Sequence, residues 1–358
     1  MSEEKTKKKM KTKYKVILSI IAAFLIIVIA TVTCLILLVK KEYDTAYNPI
    51  TEDPKELGFE EVIEEKVTNI ALFGVDTRNP KSFKGLSDTI MILSINEKTK
   101  KIKVISIMRD TLVPLEHKGK TIYAKINSAY SRGGPELAIK TLNILFGLDI
   151  SEYATVNFYG MADIIDAVGG VEVELAKNEI GYELDFGIKE VCLKEGIPYE
   201  DYLITKPGKQ ILNGIQAVSY ARMRHTASIW GTNNDYGRTD RQRYIMEQLF
   251  NKALALEKSR YIPLARALLP CCQTSLSFAE AIDLAFSILG KSPTFEQARV
   301  PMKDYQMTSK NIKGVGACVY YDLDYAGKVI RSFIYDDVSP SDYIAKNGVE
   351  KNDWYSKK

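Results

Sequence analysis

The feature that most constrains this chain is an apolar run near its N-terminus, from Val16 to Val39. As a helix these 24 residues would rise about 36 Å, and the hydrocarbon core of a bilayer is about 30 Å thick. A cleavable signal peptide has a shorter apolar core, of about 7–15 residues, and ends in small residues. Here the run ends in Lys40 and Lys41. It therefore predicts an uncleaved transmembrane helix at residues 16–39.

The distribution of charge predicts how this helix is oriented. Residues 1–15 contain seven lysines and two glutamates, while the whole chain has a net charge of +4. Since the lysine pair at 40–41 adds two more positive charges, residues 42–358 carry a net charge of −3. The positive-inside rule keeps the basic tail in the cytoplasm and places residues 42–358 outside a cell membrane that the chain crosses once. An acidic body also argues against nucleic-acid binding.

Beyond the anchor, strand-like and helix-like patterns alternate, which predicts an α/β (α+β) fold with one mixed β-sheet flanked by helices. Period-two alternation predicts strands at Asn69–Val75, Thr89–Ile95, Lys101–Met108, Ala154–Phe158 and Val171–Leu175. Apolar residues at helical spacing predict helices at 133–146, Met161–Val168, Ile211–Tyr220, Thr239–Leu256 and Phe278–Leu289. The long charged stretch 176–207 is punctuated by glycines and prolines, which is typical of a lid or an inserted loop.

These patterns divide the chain into six parts. They are a cytoplasmic tail at 1–15, the transmembrane helix at 16–39, a polar stalk at 40–66, a catalytic or binding domain at 67–256, a part at 257–335 that packs on or extends the core, and a poorly ordered tail at 336–358. The cysteines outside the anchor, at 192, 271, 272 and 318, have no Cys-x-x-Cys spacing, so we expect no zinc site. Their pairing stays open.

Two aspartates stand at the ends of predicted strands. Asp76 follows the first strand, and Asp88 precedes the second. Carboxylates at the ends of neighbouring strands can converge, and two such ligands completed by substrate phosphates and water are a usual arrangement for Mg²⁺. The alternative is a solvated turn, where aspartate is common. The pair Arg109-Asp110 follows the third predicted strand, and taken alone it is typical of a structural ion pair.

An arginine-rich stretch predicts an anion site. Residues 222–243 contain five arginines and no lysine, whereas a solvated basic face is normally mixed with lysine. Arg222 and Arg224 are two apart and can face one target, and Arg238 and Gln242 share one face at the start of a helix. Helix N-termini favour anions, and the planar guanidinium matches phosphate oxygens. Diphosphate is the natural ligand, and outside a cell the membrane offers lipid-linked diphosphates.

At this point the residues resemble those of the LytR-CpsA-Psr family. The resemblance runs from about Val67 to Leu256, and the order and spacing of the motifs carry it jointly. The motifs are FGVDTR at 73–78, SDTIMILSI at 87–95, ISIMRDT at 105–111, KINSAYSRGGP at 125–135, VGGVEV at 168–173, GKQILNGIQAVSYARMRH at 208–225 and DYGRTDRQR at 235–243. The sequence departs from the family pattern at Arg132 and in a longer stretch at 225–234, and both departures border the implied site.

The resemblance implies a site for a polyprenyl diphosphate whose tail lies in an apolar tunnel between sheet and helices. It implies that Asp76 and Asp88 hold Mg²⁺ and serve with Arg109 in catalysis. The residues it implies for diphosphate binding are Arg78, Arg109, Lys125, Arg222, Arg224, Arg238 and Gln242. Asp235 also matches a motif position.

The implied activity is that of a membrane-anchored extracellular phosphotransferase. It would move a glycopolymer, such as teichoic acid or capsule, from polyprenyl diphosphate to peptidoglycan and release polyprenyl phosphate. Either Asp76 or Asp88 would help to deprotonate the acceptor hydroxyl. Two alternatives stay open, since the same residues would serve a polyprenyl diphosphate hydrolase or a non-catalytic regulator of envelope assembly that binds lipid diphosphates. In each case the membrane is a partner and nucleic acid is not.

Overall fold

The computed structural model describes residues 38–77, 79, 81–288, 293–302 and 308–348. The predicted cytoplasmic tail and nearly all of the predicted transmembrane helix lie outside these residues, as does Arg78. Within the described residues, no helix has the length and apolarity needed to cross a bilayer. The chain divides into two compact units, residues 1–45 and 46–358, and the described part of the first, 38–45, is helical.

A six-stranded mixed sheet forms the centre of the second unit. Its strands are β1 (Val67–Asp76), β2 (Leu86–Asn96), β3 (Lys101–Ile107), β6 (Glu152–Asn157), β9 (Cys272–Thr274) and β10 (Thr294–Val300). They lie in the order β10-β3-β2-β1-β6-β9. The pairs β1–β2, β2–β3 and β6–β9 are antiparallel, while β1–β6 and β3–β10 are parallel. This topology confirms the predicted mixed sheet, and β9 and β10 come from the part of the chain after residue 256.

Three two-stranded ribbons surround the sheet. They pair β4 (Leu112–His117) with β5 (Lys120–Lys125), β7 (Val171–Leu175) with β8 (Gly208–Leu212), and β11 (Thr308–Ile312) with β12 (Gly316–Tyr320). The first ribbon turns at Lys118 and Gly119, whose φ angles are 52° and 71°. Two positive φ angles make a hairpin turn that follows the twist of its strands. The sequence patterns did not predict this ribbon.

Nine labelled helices pack around these strands within the described residues. They are α1 (Ser128–Phe146), α2 (Phe158–Ala167), α3 (Tyr182–Glu195), α4 (Gly214–Arg222), α5 (Asn234–Leu254), α6 (Tyr261–Leu268), α7 (Phe278–Ile288), α8 (Leu323–Tyr335) and α9 (Pro340–Asn347). Helix α1 begins before its predicted start and has non-helical backbone at Gly133 and Gly134. Two predictions fail here. The stretch 176–207 is not a plain loop, because it contains α3, and residues 340–347 of the predicted disordered tail are helical.

The sheet separates two hydrophobic cores because alternate side chains of its strands point to opposite faces. On one face, Phe73 and Val75 of β1 pack with residues of α1 and α8. On the other side of the sheet, a second core joins α2, α3, α4 and α5 with the β7–β8 ribbon. The helices of this second layer leave an apolar cavity against the sheet. The four cysteines in the described residues are free thiols.

Candidate active site

The site lies at one edge of the central sheet. Because β1 and β3 both run antiparallel to β2, their C-terminal ends meet the N-terminal end of β2. Asp76 ends β1, Asp88 is near the start of β2, and Arg109 follows the end of β3. Asp76, Asp88 and Arg109 therefore lie at the same edge of the sheet.

A bulge in β2 changes the direction of Asp88. Gly74 pairs with Thr89 and Val75 pairs with Ser87, so Asp88 has no partner across the ladder. An extra residue of this kind bends the strand and redirects the side chain, and such bulges are frequent next to active sites. The two strands are close at this point, since a Cβ on Gly74 would lie 2.8 Å from Thr89 Cβ. Glycine at position 74 allows the close approach of β1 and β2 beside the bulge.

Asp88 accepts hydrogen bonds from two arginines that come from different elements. Arg109 Nη1 donates to Asp88 Oδ2. Arg238 of α5 lies with Nη1 3.8 Å from the same oxygen, and its Nη2 donates to the backbone oxygen of Asp88 at 3.4 Å. Arg238 is almost fully buried, with 7% of its side chain exposed. The sheet edge and the N-terminal part of α5 are thus joined by charged groups.

Asp235 is a second centre of the same network. Its Oδ1 lies 3.1 Å from Arg224 Nε, 3.3 Å from Arg238 Nη2 and 3.8 Å from Arg109 Nε. Asp110 is also close to Arg109, and it forms an ion pair of 2.7 Å with Lys125 of β5. We call this set the charged cluster: Asp88, Arg109, Asp110, Lys125, Arg224, Asp235 and Arg238.

Two carboxyl groups of the charged cluster, those of Asp110 and Asp235, contact each other, and their pKa values are shifted in opposite directions. For Asp110, burial is outweighed by hydrogen bonds with Asp235 and Lys125, which lower its pKa to about 2. For Asp235, burial and the hydrogen bond with Asp110 raise the pKa. Burial also lowers the pKa of Arg238 to about 10, with help from the nearby charge of Arg109. The guanidinium of Arg238 is therefore only partly compensated, and an added anion would stabilise its charge.

The remaining predicted residues lie around this cluster rather than in it. Arg222 ends α4, forms an ion pair of 3.0 Å with Glu190 of α3, and stacks over Phe158 at 4.6 Å. Arg222 and Gln242 both line the apolar cavity. Arg132 lines a polar pocket of about 420 Å³ that also contains Arg109 and Lys125. Arg222 and Arg224 thus have different protein partners, Glu190 and Asp235.

The apolar cavity lies between the sheet and α2, α4 and α5, and has a volume of about 150 Å³. Its walls are formed mainly by aliphatic and methionine side chains, including Leu72, Met91, Ile165, Ile245 and Leu249. Arg222, Gln242 and Asn157 supply most of the polar groups in its lining. Gln242 is one turn of α5 after Arg238, so the cavity begins next to the charged cluster.

The sequence patterns did not reveal the groups that hold the loop after α4, at residues 223–226. Arg241 and Glu179 form a fully buried ion pair of 2.8 Å, and Arg241 also donates to the backbone oxygens of Met223 and Thr226. The Glu183 carboxylate accepts hydrogen bonds from the backbone N–H groups of residues 224, 225 and 226. Both glutamates lie in the stretch 176–207, whose sequence is typical of a lid or an inserted loop. For Glu179, the signal available was its position three residues after Ala176, where a short helical turn begins.

This fold and site define an α/β protein in which an apolar cavity meets a cluster of arginines and carboxylates. The model of the LytR_cpsA_psr family matches residues 34–326. The chain therefore belongs to the LytR-CpsA-Psr family, which confirms the resemblance drawn from the motifs.

Three similar proteins illustrate this membership. Biofilm regulatory protein A of Streptococcus mutans is 32% identical over 270 residues, which is 73% of this chain and 60% of that protein. The polyisoprenyl-teichoic acid–peptidoglycan teichoic acid transferase TagU of Enterococcus faecalis is 33% identical over 221 residues, 61% of this chain and 64% of TagU. A crystal structure of a Streptococcus agalactiae protein has a TM-score of 0.60 at 25% identity, covering 80% of this chain and 97% of that one. The chain thus spans less than two thirds of the first two relatives.

Proposed function

We propose that this protein is a membrane-anchored, extracellular phosphotransferase. It moves a glycopolymer from polyprenyl diphosphate to peptidoglycan and releases polyprenyl phosphate. The observation that carries the proposal is that the apolar cavity, lined by Gln242, begins one helical turn from Arg238 of the charged cluster, because a lipid diphosphate needs an apolar and a charged environment side by side. The name of the TagU relative, a teichoic acid transferase, supports the same reaction.

The cavity suits the polyprenyl tail. Its lining is almost wholly apolar, so an aliphatic chain entering it loses contact with water at no cost in unsatisfied polar groups. Gln242 and Arg222 lie where the lining becomes polar and would meet the first phosphate. Bound this way, the lipid would direct its diphosphate toward Arg109, Arg224 and Arg238, which present planar donors to phosphate oxygens.

The charge of the site supports a role for Mg²⁺ as well. Five cations of the described site (Arg109, Lys125, Arg222, Arg224 and Arg238) face five carboxylates (Asp76, Asp88, Asp110, Asp235 and Glu190). With all of them ionised the site is close to neutral. A diphosphate brings at least two negative charges, so a divalent cation bound with it would restore the balance.

Asp76 and Asp88 fit such a cation. Both stand at the same edge of adjacent strands, and the ion pairs of Asp88 with Arg109 and Arg238 both use Oδ2, which would leave Oδ1 for the metal. Within the described residues no group of three histidine, cysteine or acidic side chains forms a metal site. The remaining ligands would therefore be phosphate oxygens and water, as Mg²⁺ commonly prefers. Bound there, the ion would neutralise charge on the diphosphate.

The reaction itself is an in-line displacement. A peptidoglycan hydroxyl attacks the phosphorus nearer the glycopolymer, a new P–O bond forms, and the bond to the bridging oxygen of polyprenyl phosphate breaks. Arg109 and Arg238 stabilise the charge that develops on the phosphate oxygens. We assign the proton of the hydroxyl to Asp76, because Oδ2 of Asp88 is already engaged by Arg109 and lies beside Arg238.

The test uses the full chain in detergent micelles, with a glycopolymer linked to polyprenyl diphosphate and labelled in the polymer. With Mg²⁺ and peptidoglycan we expect label on the peptidoglycan, together with polyprenyl phosphate whose release increases with acceptor concentration. Release of polyprenyl phosphate at a rate that does not depend on the acceptor concentration would favour a hydrolase. Binding without release would favour the non-catalytic regulator, a role suggested by the name of the Streptococcus mutans relative.

A further inference from the structure

A second cavity lies on the opposite side of α5 from the apolar one. It has a volume of about 820 Å³ and is bounded by the loop before α5, by the edge strand β10 and by the start of α9. On α5 itself, Gln242, Ile245 and Leu249 face the apolar cavity, while Arg243, Tyr244 and Glu247 face this second space. The helix is therefore a wall between the two cavities. We call the second one the outer groove; its key residues are Trp230, Asp240, Arg243, Tyr244, Glu247 and Gln297.

Trp230 presents a large aromatic surface to the outer groove. Its side chain is 46% exposed, and its ring meets Tyr244 edge-on with centroids 5.2 Å apart. The loop that carries it is held by hydrogen bonds, since Ser228 N donates to Thr232 O at 2.7 Å and Thr232 Oγ1 donates to Asp240 Oδ2 at 2.7 Å. A fixed, exposed indole offers contact area to a ligand at a small cost in conformational entropy.

Polar groups of three kinds lie beside this aromatic surface. Gln297 Nε2 donates to Glu247 Oε2 at 2.9 Å, and Arg243 and Arg299 each contact Asp240 Oδ1 at 2.6 Å. The Nε atoms of Arg243 and Arg299 are buried and have no hydrogen-bond partner within the described part of the chain. Arg299 is itself buried, with 8% of its side chain exposed. The groove thus contains amide, carboxylate and guanidinium groups in addition to its indole.

The charges of the outer groove balance, and no Mg²⁺ is proposed there to offset the charge of a phosphate. Arg243 and Arg299 are matched by Asp240 and Glu247, and the nearby Glu296 is paired with Lys101 at 2.8 Å. No excess of positive charge is left to attract a polyanion. An aromatic face beside amide and carboxylate groups is instead suited to a neutral sugar, whose apolar face packs on the ring while its hydroxyls form hydrogen bonds.

The position of the groove relates it to the active site. Asp235 belongs to the charged cluster and Arg243 to the outer groove, and they are eight residues apart on one helix. Eight residues correspond to about 12 Å along a helix axis. An oligosaccharide of a few units that lies in the groove could therefore extend to the diphosphate.

We propose that the outer groove binds a neutral, N-acetylated glycan strand, with Trp230 as its stacking platform. This role rests on the proposed transfer reaction, in which such a strand is the sugar chain of the acceptor. The same chemistry would also recognise neutral sugars in the donor polymer. The two sources differ in charge, because a teichoic-acid type of donor carries phosphate and the acceptor's sugar backbone carries none.

The test measures binding to the full chain in detergent micelles, followed by tryptophan fluorescence and by calorimetry. The probes are chitotetraose, a neutral oligomer of N-acetylglucosamine, and poly(glycerol phosphate). We expect saturable binding of chitotetraose, weakened at least ten-fold in Trp230→Ala and less in Trp230→Phe. Tyr182→Ala removes another exposed aromatic ring, 88% exposed on α3, and should bind as the unaltered protein does. Tighter binding of poly(glycerol phosphate), or equal binding by Trp230→Ala, would overturn the proposal.

A kinetic measurement separates this proposal from the proposed function. With donor and acceptor present, Trp230→Ala should raise the KM for the acceptor and leave the release of polyprenyl phosphate without acceptor unchanged. If the unaltered protein binds chitotetraose but releases no polyprenyl phosphate, the transfer reaction fails and the glycan site stands. If it transfers the polymer and binds no chitotetraose, the glycan site is wrong and the transferase stands. Glu247→Gln is a second variant that changes a polar contact without removing volume, and it should weaken chitotetraose binding.

Discussion

Arg238 of α5 and Asp88 of β2 connect the helical layer to the sheet edge, with Nη2 of the arginine 3.4 Å from the backbone oxygen of the aspartate. This contact places a buried guanidinium next to the bulge that redirects Asp88. Arg238 also lies one helical turn before Gln242, which lines the apolar cavity.

The guanidinium of Arg238 should be needed for its shape as well as its charge. Arg238→Lys keeps a positive charge but loses the planar pair of donors, so it should lose at least one charge-assisted hydrogen bond to the diphosphate. Such a bond contributes about 1.5–3 kcal/mol, so we expect a decrease of about 10–150-fold in the kcat/KM for polyprenyl phosphate release. The control is Arg260→Lys, an exposed arginine far along the chain from the cluster. Full activity of Arg238→Lys would show that this arginine does not contact the diphosphate.

Substitution of Asp76 and substitution of Asp88 should have different effects on catalysis and on lipid binding. Asp76→Asn removes the proposed proton acceptor and weakens a proposed Mg²⁺ ligand while it keeps the side-chain shape, so at saturating Mg²⁺ the rate should fall by about 10²–10⁴-fold, the usual contribution of general base catalysis. Raising the pH should not restore it. Asp88→Asn should in addition weaken binding of the lipid diphosphate, since Arg109 and Arg238 lose the carboxylate that positions them. Equilibrium binding and single-turnover rates of the two variants distinguish these effects. Equal behaviour of both variants would contradict the assignment.

The buried pair of Arg241 and Glu179 should matter for stability. Both side chains are 0% exposed, and Glu179→Gln would leave the guanidinium buried beside a neutral group. Breaking a buried pair by removing one partner costs about 3–5 kcal/mol in the free energy of unfolding. The double variant Glu179→Leu, Arg241→Met removes both charges and should recover part of that loss. Urea unfolding of the unaltered protein and the two variants measures the free energy of unfolding of each. A decrease of less than about 1 kcal/mol in Glu179→Gln would contradict the role of the pair.

Acid should destabilise the fold through Asp110. Its pKa falls from 3.8 to about 2 in the folded protein, so its stabilising effect is present above about pH 4 and is lost as the pH falls through 2. The loss amounts to about 2 kcal/mol. The effect of Asp235 on stability has the opposite sign, because its pKa is raised in the folded protein. Its contribution is present below about pH 4 and is lost as the pH rises through the pKa of the folded state.

Unfolding between pH 6 and pH 2 in the unaltered protein and in Asp110→Asn measures the acid effect. The variant should be less stable at pH 6 and should lose less stability on acidification than the unaltered protein. If both proteins lose stability in parallel, then Asp110 is not held in its ionised form by Lys125 and Asp235.

The strands of the sheet were predictable because their signal is local. Residues 69–75, 89–95 and 101–107 alternate or run apolar, and the structure places β1, β2 and β3 over them. Helix α3 was not predictable in this way. Its buried residues Leu184, Ile188, Val191 and Cys192 follow the helical spacing, but exposed apolar residues at 182 and 186 alternate with the first of them and hide that period in the sequence.

The site was predictable as a set of motifs, but its pairings were not. Sequence order brings Asp76, Asp88 and Arg109 to strand ends, and the sheet topology then gathers them at one edge. The contact between Asp110 and Asp235 joins residues 125 positions apart, and no local pattern encodes it. The same holds for Arg222, whose partner Glu190 is supplied by a helix that the sequence did not reveal.

The most direct test of this account asks whether the lipid tail occupies the apolar cavity. Ala217 of α4 is fully buried in the cavity wall, and Ala217→Trp would fill the space with an indole. The control is Ala279→Trp on the exposed part of α7. Native mass spectrometry of the full chain in detergent counts the polyprenyl diphosphate bound to each protein, and thermal unfolding shows that each is folded. We expect one bound lipid for the unaltered protein and the control and none for Ala217→Trp; a folded Ala217→Trp that retains the lipid would show that the tail does not occupy this cavity.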